Sequence, residues 1–151
     1  MSNNIDPPEN LRLLYEETGA MFRFFLTWRQ LLLGGYFAIL AALALGFDWA
    51  LTNHAGMSCA FPFLGFGLSV LFWALDSRNR ELYRNAAEVG RSLESRFASP
   101  PTVGYYGSYK RGRGFIQHSV ILATLYLGGA LLLLLFGIFV AATPPQQAPS
   151  P

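Results

Sequence analysis

From Ser119 to Ala142 the chain runs for 24 residues without a formal charge, and the run LLLLLFGIFV lies within that stretch. A helix needs about 20 apolar residues to cross the roughly 30 Å of hydrocarbon in a bilayer, so this segment is long enough to span one. Two more such windows lie upstream. Between Arg29 and Asp76 the sole formal charge is Asp48, and the polar residues after it, Thr52, Asn53, His54 and Gly56, predict a turn. The turn divides the region into spans at about 30–48 and 55–75. Pro62, in the first half of the second span, predicts a bend, because an interior proline frees helix carbonyls. A helical hairpin buried in a soluble domain is the competing reading. It lacks a polar helix able to cover so much apolar surface.

Composition supports the membrane reading. The chain has 151 residues, of which 11 are Lys or Arg and nine Asp or Glu, so 13% are charged. Soluble domains carry roughly 25%, and a small one has a high ratio of surface to volume to keep wet. A soluble single-domain enzyme is therefore disfavoured. Disorder is disfavoured by the aromatic content of 15%. The fold expected is an all-α integral membrane protein with three transmembrane helices, an amphipathic N-terminal helix and a cytoplasmic helical extension of the second span. One cysteine, Cys59, gives no disulfide framework. The acids Asp6, Glu9, Glu16 and Glu17 argue against a secretory signal, so the N-terminus is expected to be retained.

All basic residues precede span one or lie between spans two and three. The positive-inside rule then places 1–29 and 76–118 in the cytoplasm, with the Asp48 turn and the 143–151 tail outside. Phe22, Phe24, Phe25, Trp28, Phe72 and Trp73 would mark the inner interface and Trp49 the outer one.

Asp6, Pro7, Pro8 and Glu9 form a helix start. Leu11, Leu14, Tyr15, Thr18, Phe22, Phe25 and Leu26 then recur at three- and four-residue steps. That face predicts either an interfacial helix or one packed on residues 76–97. In the 76–97 segment Leu82, Ala86, Val89, Leu93 and Phe97 draw a narrow apolar stripe, and Asp76–Arg80, Arg84–Glu88 and Glu88–Arg91 have ion-pair spacing. The single charges there read as a solvated face. From Ala98 the sequence becomes a loop rich in Gly, Ser, Pro and Tyr, ending in Lys110, Arg111 and Arg113. Basic residues beside Tyr105, Tyr106 and Tyr109 resemble a single-stranded nucleic-acid binder. Three charges next to a span are better explained by topology and contact with anionic lipid, which disfavours a nucleic-acid partner. The tail TPPQQAPSP is read as disordered and external.

No catalytic constellation is legible. His54 and His118 fall on opposite sides of the predicted membrane and cannot share a metal ion, Cys59 has no neighbouring base, and GYYGSYKRG lacks the spacing of a phosphate loop. Neither enzyme activity nor a cofactor is expected. The spans carry no ionisable group away from their ends, which disfavours a charge-coupled carrier. Gly34, Ala38, Ala42 and Gly46 recur every four residues, and small side chains at that step let a second backbone approach closely. The approaching helix belongs either to another copy or to the same chain. Gly65 and Ser69 offer a weaker site of the same kind.

The segments FRFFLTWRQLLLGGYFAILAALA, FWALDSRNRELYRNAAEVGRSLE and QHSVILATLY together resemble small bacterial multi-span inner-membrane proteins. In these, a short helical hairpin ends in an F/W-x-L-D-x-R-N motif followed by a charged cytoplasmic helix. The specific part here is Leu75, Asp76, Arg78 and Asn79, continued by Arg80. Some proteins of this layout accompany antiviral systems and permeabilise the inner membrane as oligomers. Others anchor soluble partners. The small-residue stripe and the uncharged spans point to a homo-oligomer that forms, or is triggered to form, a membrane-perturbing pore, for which the resemblance implies an effector role in bacterial defence; the alternative is a non-catalytic anchor or scaffold that recruits a soluble protein through its cytoplasmic helix.

Overall fold

Glu9 opens the first helix with an acid at the positive end of the helix dipole. In this computed structural model the described residues are 9–97, Tyr106 and 113–143. They form α1 (Glu9–Asn53), a 3-10 turn at Ala55–Met57, α2 (Ala60–Phe97) and α3 (Arg113–Ala142). The expected start at Asp6, Pro7 and Pro8 lies outside the described residues. All three helices are long and apolar enough to cross a membrane.

Two expectations about the first connection are corrected. Asp48 is not in a turn: α1 continues for another turn and a half to Asn53. One exposed acid is tolerated in a helix whose final carbonyls have partners. Thr52 Oγ1 and Asn53 Nδ2 each donate to the Trp49 carbonyl at 2.9 Å, and the His54 amide donates to Ala50 at 2.7 Å. The bend at Pro62 loses its physical basis, because α2 begins at Ala60 and Pro62 is its third residue. The N–H that proline lacks is one of the first four, which have no intrahelical acceptor anyway.

The chain divides into two compact units, one of residues 1–30 with 76–118 and the other of 31–75 with 119–151. All 11 basic residues belong to the first, as do eight of the nine acids, every one but Asp48. The first is called the charged unit and the second the uncharged unit.

In the uncharged unit, Leu32, Tyr36, Phe72, Leu122 and Tyr126 form the buried core. The rings of Tyr36 and Tyr126 meet edge to face with centroids 4.9 Å apart, a favoured aromatic geometry. Ser69 is fully buried and donates to the Gly65 carbonyl at 2.8 Å. A hydroxyl has one proton, so Ser69 must accept in its 3.1 Å contact with the Tyr36 hydroxyl. The outside of this unit is apolar. Over 31–47, 60–75 and 119–142, every exposed residue except Thr124 is Leu, Ile, Val, Phe, Ala or Gly.

The charged unit is centred on Phe22, Tyr83, Ala87 and Tyr106. Its α1 face agrees largely with the expected one: Thr18 and Phe22 are buried, and Leu11, Tyr15, Phe25 and Leu26 are partly so, but Leu14 is exposed. This face packs on α2, with Phe22 and Tyr83 edge to face at 6.0 Å. The α2 stripe is divided between the inside and the surface. Leu93 is buried and Ala86 half-buried, while Leu82 and Val89 are exposed; the Phe97 side chain lies outside the described residues. The buried face runs instead through Asp76, Asn79, Tyr83, Ala87, Gly90 and Glu94. Helical spacing is right for both sets, but the inward one is made of aromatic, small and polar residues.

Candidate functional site

Steps of three and four carry the inner face of α1 from Phe22 through Phe25 and Leu26 to Arg29, and the same steps carry that of α2 back from Tyr83 to Asn79 and Asp76. The two faces therefore meet at a charge pair. Arg29 Nε donates to Asp76 Oδ1 at 2.7 Å and Nη2 to Oδ2 at 3.2 Å, a fork-on-carboxylate geometry. The side chain of Arg29 is 5% exposed and that of Asp76 is completely buried. Arg80, one turn after Asp76, donates from Nη2 to Asp76 Oδ2 at 3.3 Å with 21% of its side chain exposed. Asn79 Nδ2 donates to the Phe25 carbonyl at 3.0 Å. The solvated face expected for the single charges of 76–97 is thus corrected for Asp76 and for Glu94, both of which are buried; Asn79 also faces inward. Arg78 is exposed and pairs with Glu81 at 3.0 Å. Among the described residues, Arg84 and Glu88 form no ion pair.

A second polar centre lies farther along α2. Glu94 is buried, and its Oε1 accepts from the Tyr15 hydroxyl at 3.0 Å and the Tyr106 amide at 2.8 Å. Tyr106 sits edge to face with both Phe22, at 5.5 Å, and Tyr15, at 5.8 Å. Gly90 makes this possible, since a Cβ there would lie 2.5 Å from the Tyr106 ring. Tyr15, Gly19, Arg23 and Tyr106 line a cavity of about 150 Å³.

In the uncharged unit, Gly34, Ala38 and Ala42 are exposed, and a Cβ on Gly34 would meet nothing within 4 Å. Gly46 is half-buried against the ring of Phe61. Gly65 is a close-approach point, where a Cβ would lie 3.1 Å from Leu133 and 3.3 Å from Leu43. A cavity of about 420 Å³ opens nearby, lined by residues such as Leu40, Phe47, Phe61 and Leu132 that carry no polar side chain. It offers no group for chemistry.

The side chains of Lys110, Arg111, Arg113 and His118 lie outside the described residues. His54 is exposed near Trp49, and Cys59 is half-buried with Sγ 4.0 Å from the Gly56 carbonyl. Among the described residues, no group of three His, Cys, Asp or Glu is placed to hold a metal.

Sequence reasoning singled out Asp76, Asn79 and Arg80 but passed over Arg29, Glu94 and Tyr36. A signal for Arg29 existed: it is the next step, three residues on, of the face that ends at Leu26. What the arrangement offers is electrostatic, a buried carboxylate holding two guanidinium groups from two helices.

No family model matches the chain, and no curated protein or solved structure matches it either.

Proposed function

We propose that the chain is an integral protein of the bacterial inner membrane, with its N-terminus cytoplasmic and its C-terminus external, that serves as a non-catalytic anchor for a soluble partner. The observation that carries this reading is the inverted surface of the uncharged unit. Over 31–47, 60–75 and 119–142 its exposed positions are apolar apart from Thr124, while Ser69, Tyr36, Ser119 and Tyr126 are buried. A helix apolar all round suits hydrocarbon rather than water. The collection of every basic residue in the other unit supports the orientation. Partner recruitment is supported by α2, where Leu82 and Val89 stay exposed seven residues apart beside Glu81, Arg84 and Glu88. Two apolar anchors flanked by charges are a common form of helix recognition.

A photoreactive residue at Leu82 in membranes tests this. The expected product is a heterologous protein adduct that Val89→Asp abolishes without releasing the chain from membranes. Absence of any adduct would refute recruitment.

A second reading is a homo-oligomer that perturbs the membrane as a pore, possessing the defence role implied by the resemblance and triggered by a separate partner. The outward-facing Gly34, Ala38 and Ala42 favour self-association. The apolar exposed faces favour it less as a conducting path, which needs a wet lining. Mass in detergent and ion flux in liposomes test it; a monomer without conductance sinks it.

A further inference from the structure

The apolar cavity of about 420 Å³ in the uncharged unit is framed by contacts that leave it no room to close. A Cβ on Gly46 would overlap the Phe61 ring, one on Gly129 would lie 2.6 Å from Tyr36 Oη, and one on Gly65 would lie 3.1 Å from Leu133. Phe47 and Phe136 meet with ring centroids 5.2 Å apart. Each pair of the three helices is thus already in contact beside the cavity, and drawing them closer would force backbone into side chain. The space is a fixed feature of the packing. Its walls gain contacts from a guest of their own chemistry. Water is a poor guest, because walls without polar side chains offer it too few hydrogen bonds.

Shape and mouth select the occupant. On α1 the walls are Leu40, Leu43, Ala44 and Phe47, at steps of three, one and three, and α3 repeats those steps from Gly129 to Phe136. Seven residues of helix rise about 10 Å, so the cavity is a slot that runs along the helices rather than across them. Pro62, in the first turn of α2, is a buried part of its wall, while Ala44, Leu132 and Phe136 are exposed. The slot therefore opens on the apolar surface of this unit, which faces hydrocarbon in the membrane reading. An extended alkyl chain suits that direction, since lipid chains and spanning helices both lie close to the membrane normal.

We infer that this slot binds an acyl chain of a membrane phospholipid. The inference rests on the membrane part of the proposed function. Self-association through Gly34, Ala38 and Ala42 does not compete for the slot. At about 100° per residue those three lie on nearly the opposite side of α1 from Leu40, Leu43, Ala44 and Phe47.

The full chain in phosphatidylcholine liposomes, with a trace of phosphatidylcholine carrying a diazirine in mid-chain, provides the test. Adducts are mapped by mass spectrometry after photolysis. The expected product includes an adduct on Pro62, which is too buried to meet the surrounding bilayer, besides those on exposed residues such as Leu131. Adducts confined to exposed residues overturn the proposal, and this reading needs no variant. Ala44→Phe, which fills the slot from its mouth, should reduce the Pro62 adduct about tenfold, whereas Ala41→Phe, exposed elsewhere on α1, leaves it unchanged. Equal Pro62 labelling in the two variants overturns the site. Labelling of Pro62 by a diazirine fatty acid but not by the phospholipid reassigns the slot to a free fatty acid, and labelling that falls as protein density rises gives it to a second copy; either overturns the phospholipid. Release of the chain from membranes by alkaline carbonate would instead defeat the membrane reading on which this one stands.

Discussion

Asp76 has the most consequential side chain among the described residues, because removing it leaves Arg29 buried with its carboxylate gone. Asp76→Ala is expected to destabilise the charged unit by about 3–5 kcal/mol, the usual result of breaking one side of a buried ion pair. The double variant Asp76→Leu with Arg29→Met should recover most of that loss, since an apolar pair of similar volume removes both desolvation penalties. Thermal melts in detergent of Asp76→Ala and the double variant measure the difference, and a double variant no better than Asp76→Ala would contradict it. Gly90 is the second sensitive position. A methyl group there would overlap the Tyr106 ring, so Gly90→Ala is expected to cost about 1–3 kcal/mol and to expel Tyr106 from its contact with Glu94. Hydrogen exchange at the Tyr106 amide should rise; unchanged protection would refute the packing argument.

The helices were legible in the sequence because the uncharged windows are long, but their ends and faces were less so. Asp48 read as a turn because a lone acid in an apolar run is usually a boundary. The actual terminus is marked by Thr52 and Asn53, whose side chains bond back to Trp49. The inward face of α2 is not legible from the apolar stripe of Leu82, Ala86, Val89, Leu93 and Phe97, because it is built instead from Tyr83, Ala87, Gly90 and Glu94. Nothing local announces that Arg29 and Asp76, 47 positions apart, share a bond. The position of Pro62 in the first turn yields a prediction for α2 itself. Pro62→Ala should change stability by no more than about 1 kcal/mol, through the entropy of the unfolded chain, whereas relieving a mid-helix proline would gain about 3 kcal/mol. A melt of that variant distinguishes the two, and a large gain would place Pro62 in a strained interior.

For the whole molecule, the single cysteine is a natural reporter of sidedness. Cys59 stands just after the 3-10 turn that follows α1, with Gly56 exposed beside it. With the proposed orientation, a membrane-impermeant maleimide should label Cys59 in intact spheroplasts. Gly56→Cys in a Cys59→Ser background should label faster, because Gly56 is the more exposed. Labelling only after the cells are broken would invert the topology. The partition of charge between the two units was already visible as a pattern in the sequence. The pairing that organises the charged unit was not, because it depends on which way each charged side chain points.

The Arg29–Asp76 bond also carries an order of assembly. Both of its residues, and all of α2, leave the ribosome before α3 begins at Arg113. Chains are made from the N-terminus, and early segments can pair while later ones are still being made. The first two helices can thus clasp each other through that ion pair while the place beside Tyr36 and Phe72 is still vacant. Tyr126 then arrives last and completes the core. A nascent chain stalled with α2 outside the ribosome and α3 still inside its exit tunnel should already protect Arg29 from modification, yet leave the rings of Tyr36 and Phe72 unpacked.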